Sequence, residues 1–333
     1  MINFQNDFCK MNNFIKQANE WGSKKIPFFF LIDFEKKRPV IFKLEDLKYK
    51  NVLINFPCFS NFTQKISSTP VVLDFNMMDK ETYKKAFEKV LFHIKQGDSY
   101  LLNLTFPALI TSNINLKEIF LQACSKYKIY FKEQFVGFSP ETFIKINDNT
   151  IYSYPMKGTI DASLPNAKEL LLSNKKELYE HYTIVDLIRN DLSKVANKVT
   201  VTKFRLVDKI VSAQGKLLQV SSEIQGKLDI NWQRNIGNIL DVLLPAGSIS
   251  GAPKDKTIEI IRKNELDERG YYTGIYGVFD GQNLDSAVNI RFIEKNKNRY
   301  FYRSGGGLTA LSELNNEYKE LKQKIYVPID GNY

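Results

Sequence analysis

Cysteine and histidine are scarce in this chain of 333 residues, which holds three of the first and two of the second. Cys9, Cys58 and Cys124 are odd in number and far apart, which excludes a disulfide framework and any paired-cysteine metal motif. Long apolar runs are missing as well. The stretch Pro27-Phe28-Phe29-Phe30-Leu31-Ile32 is too short to span a membrane and ends at Asp33. The opening Met1-Ile2-Asn3-Phe4-Gln5-Asn6-Asp7 has no basic region followed by an apolar one, so no signal peptide is expected. A reducing, cytoplasmic setting is the expectation. Neither a groove-reading helix motif nor an aromatic RNA-binding signature is present, so the formal charge of +10 is not read as nucleic-acid binding. The lysines are scattered among acids, and the positive field they leave would draw in a small anion.

Apolar and aromatic residues make up 43% of the chain and charged residues 25%, enough for a large core in a water-facing protein. No repeat, low-complexity segment or linker interrupts it. Residues 1–75 alternate short apolar stretches with turn residues, which predicts a short β-rich part packed on the same domain as residues 76–333. Helical spacing runs from Asp79 to Gln96, Leu116 to Lys126, Asn174 to Asn197, Trp232 to Leu244, Pro253 to Lys263 and Ser312 to Lys324. Strands are predicted at Leu101–Phe106, Gln134–Phe138, Thr142–Ile146, Thr150–Tyr154, Val199–Val207, Leu217–Ile224, Tyr271–Phe279, Ser286–Ile293 and Tyr300–Arg303. The expected fold is a single large α+β domain with antiparallel sheets flanked by helices.

Within that frame a few residues could carry chemistry. Lys157 lies in Tyr154-Pro155-Met156-Lys157-Gly158-Thr159, between a stiffening proline and a Gly-Thr pair. A nucleophilic lysine needs its amine aimed and partly deprotonated, whereas a solvated loop lysine needs no frame. Glu141 follows Pro140 at the head of an apolar strand, where a carboxyl can keep its proton; an ordinary strand-edge glutamate reads the same way. Glu180 lies in one helix, and Glu317 and Glu320 share a face of another with Lys324 one turn on. That pattern suits either a solvated ion-paired face or carboxylates converging on Mg²⁺. Arg291 could pair bidentately with a carboxylate or end a strand at the surface. Gly305-Gly306-Gly307 before a helix could offer backbone N–H groups to an anion or form a plain tight turn. The Gly247–Pro253 loop lacks the Gly-Lys-Ser/Thr ending of a nucleotide-binding loop.

The ordered set of these elements resembles the chorismate-utilising enzymes, in the branch of aminodeoxychorismate synthase component I. The resemblance spans roughly residues 80–330. It rests on Pro155-Met156-Lys157-Gly158-Thr159, Gly97–Leu104, Phe138-Ser139-Pro140-Glu141, Glu180–Asp191, Ala246–Lys254, Thr273–Gly277, Asn289-Ile290-Arg291 and Gly305-Gly306-Gly307. It implies that Lys157 attacks C2 of chorismate and that Glu141 protonates the departing C4 hydroxyl. It also implies that Glu180 and Glu320 hold Mg²⁺, with Glu317 adjacent. Thr159, Ser250, Tyr276, Arg291, the three glycines and Lys324 are the implied substrate contacts. The anthranilate and isochorismate branches typically carry alanine at the lysine position. Leu101 replaces the base lysine of the isochorismate branch, Ser250 stands where threonine is common, and Ile160-Asp161-Ala162 departs from the usual continuation. No tryptophan-binding signature is evident. His93 and His181 are the only histidines and no cysteine sits in a glutaminase-like elbow, so ammonia is expected from a separate glutamine amidotransferase subunit. The expected reaction is chorismate to 4-amino-4-deoxychorismate, toward p-aminobenzoate and folate. Anthranilate synthase component I is the alternative, and a non-catalytic chorismate-binding protein is a third reading that intact Glu141, Lys157, Glu180 and Glu320 oppose.

Overall fold

Phe28–Ile32 is a strand buried at all five positions, and its unbroken apolar sequence follows from having a core on each side. Phe28, Phe30 and Ile32 join one core with Phe14, Trp232 and Phe279, while Phe29 and Leu31 join another with Ile54, Ile129 and Val278. The strand pairs antiparallel with Val40–Lys43 on one side and Ile275–Phe279 on the other. The structure is a computed structural model that describes residues 8–63, 71–212 and 215–329. The Met1–Asp7 segment read above for a leader lies outside the described residues, as do 64–70 within the expected N-terminal part.

Among the described residues the chain forms two nine-stranded antiparallel sheets. The first runs in space as Met156–Asp161, Gly215–Lys227, Thr150–Ser153, Thr142–Asn147, Leu284–Val288, Ile275–Phe279, Phe28–Ile32 and Val40–Lys43, with Asn197–Ser212 also on Gly215–Lys227. The second runs as Gly251–Ala252, Leu101–Ser112, Arg299–Leu308, Phe292–Asn296, Phe135–Ser139, Tyr127–Phe131, Val52–Phe56 and Phe59–Ser60, with Leu73–Asn76 also on Leu101–Ser112. The core that holds Phe29 draws on both sheets, so the two pack face to face across it. The outer face of the second sheet is covered by the Leu116–Gln122 helix through Ile119 and Phe120. The α+β fold of antiparallel sheets and helices in one domain is as expected.

Several element boundaries differ from the sequence reading. A helix at Met11–Ser23, not expected in the N-terminal part, buries Phe14 and Ala18 and packs against the Ile236–Leu243 helix. Its Gly22 is required there, because a Cβ would lie 2.0 Å from the Gln233 carbonyl oxygen. The predicted strand Ser286–Ile293 is two strands, Leu284–Val288 in the first sheet and Phe292–Asn296 in the second. Between them the chain crosses from one sheet to the other, and Arg291 takes a positive φ of 53° at the crossing. The predicted Tyr300–Arg303 strand runs on through the three glycines to Leu308.

Candidate active site

Two crossings between the sheets lie side by side. One is Arg291, as above; the other is Pro140-Glu141, between Phe135–Ser139 and Thr142–Asn147. They are tied by Phe138 N donating to the Arg291 carbonyl (3.2 Å) and by Val288 N donating to the Glu141 carbonyl (3.2 Å). A crossing leaves a regular ladder, so its side chains are free to face a site rather than a neighbouring strand. The Ser139 hydroxyl accepts from Glu141 N at 3.0 Å and fixes the turn. Ser248 Oγ donates a hydrogen bond to Glu141 Oε1. Burial pushes the Glu141 carboxyl above the ordinary glutamate range, against the lowering pull of Ser248, Lys157, Arg291 and Lys324. Beside Glu141 lies a small cleft walled by Phe143, Ile188, Leu192 and Ala246, which accounts for the desolvation.

Lys157 is aimed by a bulge. Met156–Asp161 pairs with Gly215–Lys227 only with a register shift between Met156 and Thr159, and Gly158 inside it has φ +82°. A left-handed residue at that point needs glycine, and a Cβ there would also press on Glu177 Oε2 and Leu171 Cδ1, both at 3.2 Å. The bulge turns the Lys157 side chain, 17% exposed, toward Glu180, with Nζ 3.6 Å from Oε2.

Glu180 belongs to the Lys175–Ser193 helix, which Asn174 caps by accepting from Glu177 N at 3.2 Å. Four residues earlier on the same face, Lys176 places its Nζ 3.5 Å from Glu180 Oε1 and 2.5 Å from Glu317 Oε1. Glu317 and Glu320 come from the Leu314–Gln323 helix, and Glu320 pairs with Lys324 at 2.6 Å. Glu180 and Glu317 are 4% and 3% exposed. Even so, Glu180 Oε1 and Glu317 Oε2 are buried without a hydrogen-bond partner. Burial alone would lower the Lys157 pKa, but Glu180, Glu177, Glu141 and Glu320 outweigh it and hold the amine above the ordinary lysine value. The sequence reading asked for a partly deprotonated amine, and the surrounding carboxylates oppose that.

The three glycines are the floor of this group. They are not a loop at a helix N-terminus, as expected, nor a tight turn. They form the end of Arg299–Leu308, paired in register with Thr105, Leu104 and Asn103, and the following helix begins only at Leu314. Beyond Arg303 the other edge of that strand has no strand partner among the described residues, and there Lys324 Nζ donates to the Gly305 carbonyl at 2.9 Å. A Cβ on Gly307 would lie 3.1 Å from Lys157 Nζ and 3.3 Å from Glu180 Oε2. One on Gly306 would lie 3.6 Å from Glu317 Oε2 and 3.8 Å from Glu320 Oε1. The glycines therefore let four charged side chains reach the strand backbone.

The structure thus gathers Lys157, Glu180, Glu317, Glu320, Lys324, Gly305, Gly306 and Gly307, with Glu141 and Arg291 in electrostatic reach. Other expected residues sit elsewhere. Thr159 is exposed on an edge strand, since the bulge turns only Lys157 inward. Ser250 is fully buried with its hydroxyl donating to Ala246 O (2.9 Å) in its own turn. Tyr276 lies in the core between the sheets, edge-on to Phe56 at 5.5 Å, its buried hydroxyl without a hydrogen-bond partner. Sequence reading passed over Lys176 and Ser248. The i,i+4 spacing of Lys176 to Glu180 was a usable signal. For Ser248 there was none, because its partner lies 107 residues away. Among the described residues no three acidic, histidine or cysteine side chains stand close enough together to hold a metal ion as they are. The three glutamates pair with the amines of Lys157, Lys176 and Lys324 rather than forming an open cage.

Paired sheet crossings, an inward lysine and a glycine-floored group of carboxylates make up one buried, ion-paired cluster between the sheets and helices. The comparisons give it a class: residues 11–330 match the chorismate binding enzyme family, and the chain belongs to that family. A Haemophilus influenzae relative bearing the name uncharacterized PabA-like protein is 52% identical over 323 residues, 96% of this chain and 98% of its own. Aminodeoxychorismate synthase component 1 of Bacillus subtilis is 30% identical over 74% of this chain and 54% of its own. Anthranilate synthase component 1 of Archaeoglobus fulgidus is 31% identical over 74% of this chain and 61% of its own. In fold, a crystal structure of a Bacillus anthracis protein described as an isochorismate synthase matches with a TM-score of 0.70 at 21% identity, covering 93% of this chain and 87% of that one. The protein is accordingly a chorismate-utilising enzyme, and no helix among the described residues is long and apolar enough to cross a membrane.

Proposed function

We propose that this enzyme is the chorismate-aminating component of an aminodeoxychorismate synthase, working through a covalent adduct on Lys157. The observation that carries the reading is the bulge at Gly158, which spends a left-handed glycine on aiming a mostly buried lysine into the site. The relatives do not separate the amination chemistries, since 30% and 31% identity are equivalent.

In the proposed sequence the free Lys157 amine attacks C2 of chorismate. The ring double bonds shift, and the C4–O bond breaks as Glu141 gives its proton to the leaving hydroxyl, which departs as water. Ammonia then attacks C4, the double bonds shift back, and the C2–N bond to Lys157 breaks, leaving nitrogen at C4 and a free lysine. Glu141 suits its part, because burial keeps it protonated further up the pH scale and Ser248 holds one oxygen so that the other can carry the proton. Arg291 and Lys324, with the free edge of the glycine strand, are the groups to hold the substrate carboxylates.

The carboxylate group also fits Mg²⁺ chemically: its donors are all oxygens, and two of them are buried without a hydrogen bond. Glu180, Glu317 and Glu320 would hold the ion, which would neutralise a substrate carboxylate when bound. Ammonia would come from a separate glutamine amidotransferase, because the two histidines bond Asp98 and Ser222 rather than a cysteine, and a cytoplasmic setting suits three cysteines outside any disulfide.

Product analysis tests the reading. Chorismate, Mg²⁺ and ammonium with wild-type protein should yield aminodeoxychorismate, and Lys157→Ala should be severely impaired. Anthranilate as the wild-type product would place the chain with the C2-aminating enzymes instead and leave Lys157 without its proposed role.

A further inference from the structure

Lys176 is a charged residue that the amination scheme does not use, yet its amine bridges two of the site's acids. It touches both buried glutamates, 2.5 Å from Glu317 Oε1 and 3.5 Å from Glu180 Oε1, whereas Lys157 reaches only Glu180. Glu317 keeps its other buried oxygen, Oε2, without a hydrogen-bond partner, and Glu180 Oε1 makes no hydrogen bond, only the 3.5 Å contact with this amine. Two carboxylates this deep would be costly to leave uncompensated. The facing charged groups are Lys157 and Glu177 near Glu180, and Glu320 with Lys324 on the other helix. Lys324 already serves Glu320 and the Gly305 carbonyl.

We propose that Lys176 is a resident counter-ion that occupies the cation position of this site and must be displaced when a divalent cation binds. This rests on the proposed reading of the carboxylate group as a cation site. The position is shared because the two glutamates Lys176 bridges are the ones with a buried oxygen that lacks a hydrogen bond, and on Glu180 that oxygen is the one the amine faces. Lysine can leave where a fixed cation could not: its side chain is 25% exposed, so its four-carbon stem already reaches solvent, and rotation about it carries the amine away. A single positive charge left beside a divalent ion would repel it, so binding the ion and retaining the amine between the glutamates exclude each other. The absence of a ready three-carboxylate cage among the described residues follows directly. The arrangement keeps the metal-free enzyme folded at the expense of metal affinity.

Isothermal titration with Mg²⁺ alone, paired with melting temperatures measured with and without Mg²⁺, tests this in wild type, Lys176→Met and Lys175→Met. Lys175 is the exposed neighbour, so its variant removes the same net charge without touching the glutamates. Lys176→Met should bind Mg²⁺ about tenfold more tightly or better. It should also melt lower than wild type without metal and gain more from Mg²⁺. Lys175→Met should match wild type in both. If Lys176→Met folds only when Mg²⁺ is present and unfolds on chelation, the same coupling is observed by another route. An Mg²⁺ affinity in Lys176→Met that is unchanged or weaker overturns the displacement while leaving the metal site standing. Failure of wild type and both variants to bind Mg²⁺ overturns the metal site itself, and the displacement with it.

Discussion

Three adjacent glycines offer a graded test, because a methyl group at each meets different neighbours. Gly307→Ala is the informative change. Its backbone φ lies outside the left-handed range, so alanine is conformationally allowed in the strand. The added carbon would stand 3.1 Å from Lys157 Nζ, 3.1 Å from Leu101 Cδ1 and 3.3 Å from Glu180 Oε2. Comfortable contacts lie near 3.5–4.0 Å, so each neighbour must yield by a few tenths of an ångström, roughly the scale on which a reacting group loses its aim. Misplacing a catalytic group by ~1 Å costs ~100-fold, so a turnover loss of about 10- to 100-fold is expected here with little change in melting temperature. Gly305→Ala should do the reverse. Its carbon would meet Thr105 Cγ2 at 2.6 Å and the Leu104 carbonyl oxygen at 2.9 Å, and backbone cannot step aside. That overpacking should cost about 1–3 kcal/mol, or roughly 1–4 °C in melting temperature for a chain of this length. Gly306→Ala meets only ordinary contacts at 3.6 and 3.8 Å and should spare stability. The assay is initial chorismate turnover set against thermal melting for all three variants. Full turnover in Gly307→Ala, or the same melting loss in Gly305→Ala and Gly307→Ala, would refute the placement of Lys157 and Glu180 over the end of this strand.

Other outcomes follow from the same geometry. Ser248→Ala removes the hydrogen bond that favours the charged form of Glu141, so the Glu141 pKa rises further; the basic limb of the turnover profile, where this acid loses its proton, should move to higher pH. A basic limb that stays put or moves down contradicts Glu141 as the proton donor. Arg269 is 1% exposed, pairs with Glu265 at 2.7 Å and donates to the carbonyls of Asn103 (2.6 Å) and Ile249 (2.8 Å). Arg269→Met strands Glu265 and should cost about 3–5 kcal/mol in chemical denaturation, a loss that Glu265→Gln in the same chain partly restores. Additive losses in the double variant would deny the pairing.

How far the sequence could be read depends on the range of the interaction. The Asp79–Gln96 pattern gave the Lys80–Lys95 helix because its cap and apolar stripe are local, and Asp79 does accept from Thr82 N at 3.0 Å. The three glycines were misread for the opposite reason: glycine is as much at home in a turn as in a strand, and only the pairing with residues 103–105 decides. Thr159 and Ser250 were carried along by motif position. Motif spacing cannot register a bulge, which turns Thr159 outward, or a hydroxyl satisfied within its own turn.

By itself, then, the chain determined the residue types in the site, the helices that carry the glutamates, and an α+β domain, because helix periodicity, capping and strand alternation act over a few residues. Only the tertiary structure decided that Glu141 and Arg291 share neighbouring sheet crossings. The same is true of the Gly158 bulge that turns Lys157 inward, of Lys176 between Glu180 and Glu317, and of Ser248 holding Glu141. Each depends on contacts between residues distant in sequence and on charges whose cost appears only when they are buried together.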